Sequence, residues 1–259
     1  MNILKRALIE KTGHENGFEN ILSSHDDGVL LGSALHGIQA LIAEDNYRWI
    51  VDIHSEVSKY LYSELTRCFP NATRPDRKFV LLQINDLAIF LRRASKLAQS
   101  LPNQLAVDYD KQVTEELTHF ADAETKATEI ERIVRQRIGQ QKFRDGMLQY
   151  WGGACAVTGV DVTEVLRASH AKPWAECKSD TERLDVFNGF LLCAHLDALF
   201  DRFLISFDDK GQMLISPKLS QNQRDILGLN DDLCLRWIAD RHLLYLDYHR
   251  AKFFDLQGG

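Results

Sequence analysis

The residues of this chain whose types and spacing could do chemistry lie between positions 170 and 201. His170 sits in the basic stretch RASHAKPW, and Asn188, His195, Asp197 and Asp201 follow in NGFLLCAHLDALFD. An imidazole is the side chain whose free pKa lies near neutrality, so His170 can take a proton from water. Asp197 and Asp201 are four apart, so on a helix both carboxylates face the same way. Such ligands can hold a divalent cation, which stabilises charge on a phosphate and on a leaving oxygen. His195 stands at the start of the same helix. Asn188 can brace the loop that begins at His170, or add a ligand oxygen. Together these are the requirements of phosphodiester hydrolysis. Taken singly, each residue has an ordinary use: a polar loop histidine, an Asn-Gly turn, a carboxylate beside Arg202. The signal is in their order and spacing.

Elements must position these groups. NGFLLCA reads as an apolar strand and HLDALFD as a helix of about two turns. FLISFDDKGQMLIS reads as a hairpin turning at Asp209-Lys210-Gly211. Upstream, Gly152-Gly153 and Thr158-Gly159 mark turns, with short β-prone runs on either side. The site region is therefore expected as strand, loop, strand, short helix, hairpin. Before it, RIVRQRIGQQKFR carries Arg132, Arg135, Arg137, Lys142 and Arg144 and no acid. A basic run in an acidic chain is an electrostatic footprint for phosphate. A solvated helix face is the alternative, and charge alone does not choose between them.

The rest of the chain sets bounds. Its 259 residues allow one large or two modest domains. A net charge of −6 excludes a polycationic nucleic-acid coat, though not local DNA binding. Cys68, Cys155, Cys177, Cys193 and Cys234 form no CxxC pair, which fits a reducing compartment and argues against a four-cysteine zinc site. No apolar run is long enough for a signal peptide or a membrane span. The expectation is a cytoplasmic protein without a membrane partner. In the first third, LKRALIEKT reads as a helix, and GIQALIAEDNYRWIVDI as two strands joined near Asp45-Asn46. SEVSKYLYSELTRCF reads as a helix capped at Ser55 with Val57, Leu61 and Leu65 inward. NDLAIFLRRASKLAQSLP reads as a helix capped at Asn85 or Asp86 and ended before Pro102. Residues 104–127 read as a connecting helix or linker. The fold class is α+β: a small α+β domain over 1–120, for target recognition or regulation, and a second domain over 121–259.

The segments RQRIGQQKFRDGMLQYWGGACAVTG, LRASHAKPW and NGFLLCAHLDALFDRFLISFDDKGQMLIS resemble the HNH endonucleases of the restriction-endonuclease type. The resemblance implies a ββα-metal nuclease module that cleaves DNA, in restriction or anti-phage defence. It implies that His170 is the general base and that Asn188 positions the loop. His195, Asp197 and Asp201 fall where the family's short helix supplies its last histidine and further metal-site groups. Arg137, Gln140 and Arg144 match a recurrent RxGQxxFR segment, which contacts DNA phosphates or packs on the nuclease module. Lys172, in the basic loop, is a further DNA-contact candidate. Two positions depart from the pattern. Ser169 stands where many members have an Asp or His ligand, and Thr158 stands where a second cysteine would sit. The expected cofactor is therefore a catalytic Mg²⁺ or similar ion such as Mn²⁺, with no structural zinc. A double-strand cut by a module with one active site calls for a homodimer. A regulatory partner gating the nuclease, or a DNA-binding protein with an inactive module, is the rival expectation.

Overall fold

The computed structural model describes residues 1–54, 60–102, 104–118 and 127–256, with the side chains of 127, 128 and 130 left aside. The chain forms two compact units, Met1–Gln104 and Leu105–Gly259. The fold class is α+β.

The first unit is a five-stranded antiparallel meander with helices packed on it. Helix α1 (Ile3–Glu15) precedes β1 (Asn20–Ser24), β2 (Val29–Gly32), β3 (Gln39–Asp45) and β4 (Arg48–His54). Helix α2 (Leu61–Cys68), β5 (Phe79–Leu81) and α3 (Ile84–Ser100) complete it. Alternation puts Val29, Leu31, Ala40, Ile42 and Val51 on one buried face, where α1 and α3 supply Ile9, Phe90, Leu91 and Ala94. Asn46 and Tyr47 both take positive φ, 49° and 62°, as a two-residue hairpin turn requires. The start of α3 differs from the expectation at Asn85 or Asp86. Gln83 is the cap, and Asp86, three residues in, accepts a hydrogen bond from the Gln83 backbone N–H at 3.0 Å. The cap expected at Ser55, with Val57, lies outside the described residues.

The second unit holds the candidate site. Helix α4 (Gln104–Thr118), in the stretch expected to connect, joins it through Tyr109, whose hydroxyl donates to the Arg135 carbonyl. Helix α5 (Ala127–Tyr150) carries the basic run. Gly152, Gly153 and Gly159 turn the chain with positive φ. The runs beside Thr158-Gly159 form no strands. Their backbone closes a tight turn instead, with Cys155 N–H donating to the Val160 carbonyl and Gly159 N–H to that of Cys155. Strand β6 (Leu166–His170) then pairs antiparallel with β7 (Gly189–Cys193), and α6 (Asp180–Arg183) lies in the loop between them. Helix α7 (Ala194–Asp201) packs back on both strands. The hairpin β8 (Ile205–Phe207) and β9 (Met213–Ile215) turns at Asp209–Gly211, with the Asp208 carboxylate accepting from Lys210 and Gln212 N–H. Helices α8 (Gln221–Ile226) and α9 (Asp240–Asp255) finish the unit. Strand, loop, strand, short helix, hairpin is thus the observed order. Among the described residues, no helix is long and apolar enough to cross a membrane.

Candidate active site

The β6–β7 pair is unusually close at its end. His170 is opposite Gly189, where an added Cβ would lie 1.9 Å from the Ser169 carbonyl oxygen. Only glycine permits that approach. His170 therefore projects from a strand end that cannot shift without parting the pair.

Three groups fix its imidazole. Nε2 lies 2.8 Å from the Arg183 carbonyl oxygen. A carbonyl only accepts, so Nε2 carries the proton and Nδ1 is the basic atom. Phe143 of α5 stacks on the ring, and Trp174 meets it edgewise at 5.8 Å. Burial pushes the His170 pKa down to about 4, against a smaller upward pull from the Arg183 carbonyl. The ring is thus neutral at neutral pH. It lines a cleft of about 390 Å³ together with Trp174, Asp201, Arg202 and Phe203.

Asn188 is fully buried. Its carboxamide oxygen accepts from Lys172 N–H at 2.8 Å, and its nitrogen reaches the carbonyls of Lys172 and Glu182 at 3.2 and 3.1 Å. It ties the loop after His170 to the segment that presents the Arg183 carbonyl. Its oxygen is thereby engaged, as the bracing role requires. The neighbouring Asp185 is a second anchor: Arg241 and Tyr245 of α9 donate to its buried carboxylate, Tyr245 at 2.9 Å.

On α7 the aspartates and the histidine part company. Asp197 accepts a hydrogen bond from the Ser169 hydroxyl, so the residue at the expected first-ligand position instead holds a carboxylate. Asp201 lies one turn on. Partial desolvation, and then the charge of Asp197, raise its pKa to about 6. His195 is exposed, and two residues along a helix from Asp197 it points to another side. The structure brings the two carboxylates together and leaves His195 apart from them. Among the described residues, no group of three His, Cys, Asp or Glu is placed to hold a metal ion. The pair nevertheless suits a hard cation such as Mg²⁺, which commonly takes one or two carboxylates and completes its shell with water and substrate phosphate. Near the β6–β7 strands, Cys155 and Cys193 share hydrogen bonds with Thr158, whose hydroxyl is 3.3 Å from the Cys193 sulfur.

The RxGQxxFR segment is built into the site from behind. Gly139 leaves room for Trp174, since a Cβ there would be 2.2 Å from Cη2 of the indole. Phe143 is the ring under His170. Arg144 donates to the carbonyls of Leu166 and Thr163, at 2.7 and 3.0 Å, and so holds the start of β6. Of the two roles open to Arg144, packing on the module is the one with partners. Arg137 is exposed and paired with Glu116 of α4, while Gln140 is exposed. Lys172 pairs with Glu182 at 2.6 Å, so its charge is compensated. Phe143, Trp174 and the Arg183 carbonyl did not stand out in the sequence. Gly139 and Phe143, one turn apart in GQQKF, were the available signal.

Residues 155–208 match the family model of the HNH endonucleases. The match spans β6, β7, α7 and β8, so it contains His170, Asn188, His195, Asp197 and Asp201. A comparison with curated proteins gives no match.

Proposed function

We propose that the second unit is a divalent-cation-dependent endonuclease hydrolysing DNA phosphodiester bonds, with His170 as general base. The observation that carries this reading is the imidazole itself. It is neutral, with Nε2 committed to the Arg183 carbonyl, and it lines a cleft beside Asp201. A water near Nδ1 loses its proton to His170 as its oxygen attacks phosphorus in line. The bond to the opposite oxygen then breaks. Asp197 and Asp201 would hold the cation, and when bound it supplies positive charge for the phosphate and the leaving oxygen. Ser169 keeps Asp197 turned toward β6, and Asn188 keeps the loop that fixes the base. A role in restriction or anti-phage defence is part of the same proposal and rests on the resemblance of the motifs.

A second reading has a specific observation in its favour. Ser169 stands where a ligand is expected, which favours a DNA-binding or partner-gated protein with a latent module. Plasmid cleavage with Mg²⁺, with Mn²⁺ and with EDTA, on wild type and His170→Ala, separates the two. Metal-dependent nicking or linearisation, lost in the variant at matched folding, is the expected result. DNA retained without cutting in any metal supports the second reading. Equal cutting by His170→Ala removes His170 from the role of base.

A further inference from the structure

Trp174 has a cleft on either side of it. One is the His170 cleft. The other, of about 490 Å³, is lined by Arg132, Arg135 and Gln136 of α5, by Trp174 and Ala175, and by Asp180 and Arg183 of α6, with Glu131 alongside. That volume is in the usual range for a small-ligand site.

Its charges divide into two sets. Arg135 pairs with Glu131 and Asp180 at 2.8 and 3.3 Å, and Arg183 pairs with Asp180 at 2.8 Å. Those groups neutralise one another and shape the floor. Arg132 and Gln136 are exposed at the rim and hold no hydrogen bond or ion pair among the described residues. Three arginines against two acids leave one positive charge in the lining. A guanidinium and a carboxamide are the side chains that pair with base edges through two hydrogen bonds at once. An indole offers any base a surface for stacking. The indole is held in place, with Gly139 making room for its far end and the Arg183 guanidinium 5.6 Å from its ring.

We propose that this cleft is a subsite for the nucleotide next to the scissile phosphate, with Arg132 and Gln136 reading its base. The inference rests on the nuclease reading above, because it takes the strand to pass the His170 side of Trp174. The shared wall is what makes the ligand a neighbouring nucleotide of the same strand. A cleft remote from His170 would have no such constraint.

Arg132→Ala, Gln136→Ala and the double variant test this, since exposed positions spare the fold. The first readout is the sequence of the ends left by cleavage. Gln136→Ala flattens the base preference at one position beside the cut and leaves distant positions unchanged. The second is affinity for a fluorescein-labelled DNA duplex in EDTA, which falls about tenfold in the double variant and also falls in the charge-neutral Gln136→Ala. An unchanged end profile with unchanged affinity overturns the subsite. If wild type binds DNA but never cuts, the hydrolytic reading fails and the affinity loss alone decides the subsite. If wild type binds no DNA, both fall.

Discussion

The imidazole of His170 lies flat on the ring of Phe143, with centroids 3.7 Å apart and planes inclined by 18°. The imidazole is on a strand and the ring is on α5, so a helix outside the matched residues forms the back of the candidate site. The stack and the Arg183 carbonyl together define both the plane and the tautomer of the imidazole. In the proposed reaction this preorganises the proton acceptor, so that small displacements cost rate rather than binding.

Phe143→Leu keeps apolar bulk but removes the plane. We expect kcat to fall about 10- to 100-fold while KM for DNA changes less than about twofold. The stability cost should be about 1 kcal/mol. Phe143→Tyr should retain most activity. A loss carried by KM instead, with kcat intact, would mean that the ring serves DNA binding.

Asn188→Ala removes one acceptor and one donor group from a fully buried brace. Each buried group left without a partner costs about 1–3 kcal/mol, and the Lys172 N–H and the Glu182 carbonyl are both exposed to that loss. Urea unfolding should show a drop of about 2–4 kcal/mol. Asn188→Asp still accepts from Lys172 but sets a second acceptor oxygen, buried and charged, against the Lys172 and Glu182 carbonyls, so it should be at least as destabilising as Asn188→Ala. Full stability in Asn188→Ala would contradict the bracing role.

Much of this was legible because it is local. The β3–β4 hairpin, β7, α7 and the β8–β9 turn follow from periodicity and turn residues within single segments. His170, Asn188 and the Asp197–Asp201 pair followed from order and helical spacing. What was not legible depends on distant partners. In the sequence Ser169 is a departure from the ligand pattern; in the fold its hydroxyl donates to Asp197, 28 residues on. Arg144 is open there to DNA contact or packing and Lys172 is a DNA-contact candidate; the partners of each, the Leu166 and Thr163 carbonyls and Glu182, lie far along the chain or in a loop whose path the sequence does not give. His195 shares a helix with the aspartates, yet a two-residue offset turns it from them. Charge and spacing name candidates. Only the packing of α5 and α6 against β6 decides what each one touches.

Asp201 must be ionised to hold a cation, and its pKa is raised to about 6. Below pH 6 protons compete with metal at this carboxylate. The half-saturating Mg²⁺ concentration for cleavage should rise about tenfold per pH unit as pH falls below 6, and level off above it. Asp201→Asn should remove that dependence and most of the activity at low Mg²⁺. A Mg²⁺ requirement that is flat from pH 5 to 7 would take Asp201 out of the cation site.

Two histidines, the half-buried His170 and the buried His249, link stability of the second unit to pH. His170 and His249 both have folded pKa values lowered to about 4, chiefly by burial, from 6.5 when unexposed to the fold. Between pH 4 and 6.5 the unfolded chain therefore binds protons that the folded one does not. Stability rises with pH across that window, is fully present above 6.5, and is lost as pH falls. Asp185 and Asp201 act oppositely, since burial first of all raises both folded pKa values above the ordinary 3.8; solvent screens the effect at exposed Asp201 but not at buried Asp185, so the net slope is smaller than the histidines alone would give. His249 is held by Ser206 and the Phe200 carbonyl, away from the proposed chemistry. His249→Gln should lower stability at pH 7 and reduce the slope by one proton, about 1.4 kcal/mol per pH unit. Urea unfolding at pH 7.5, 5.5 and 4.5, in a Trp49→Phe background, leaves tryptophans only in the second unit as reporters. An unchanged slope would show that His249 takes up its proton without opening the fold.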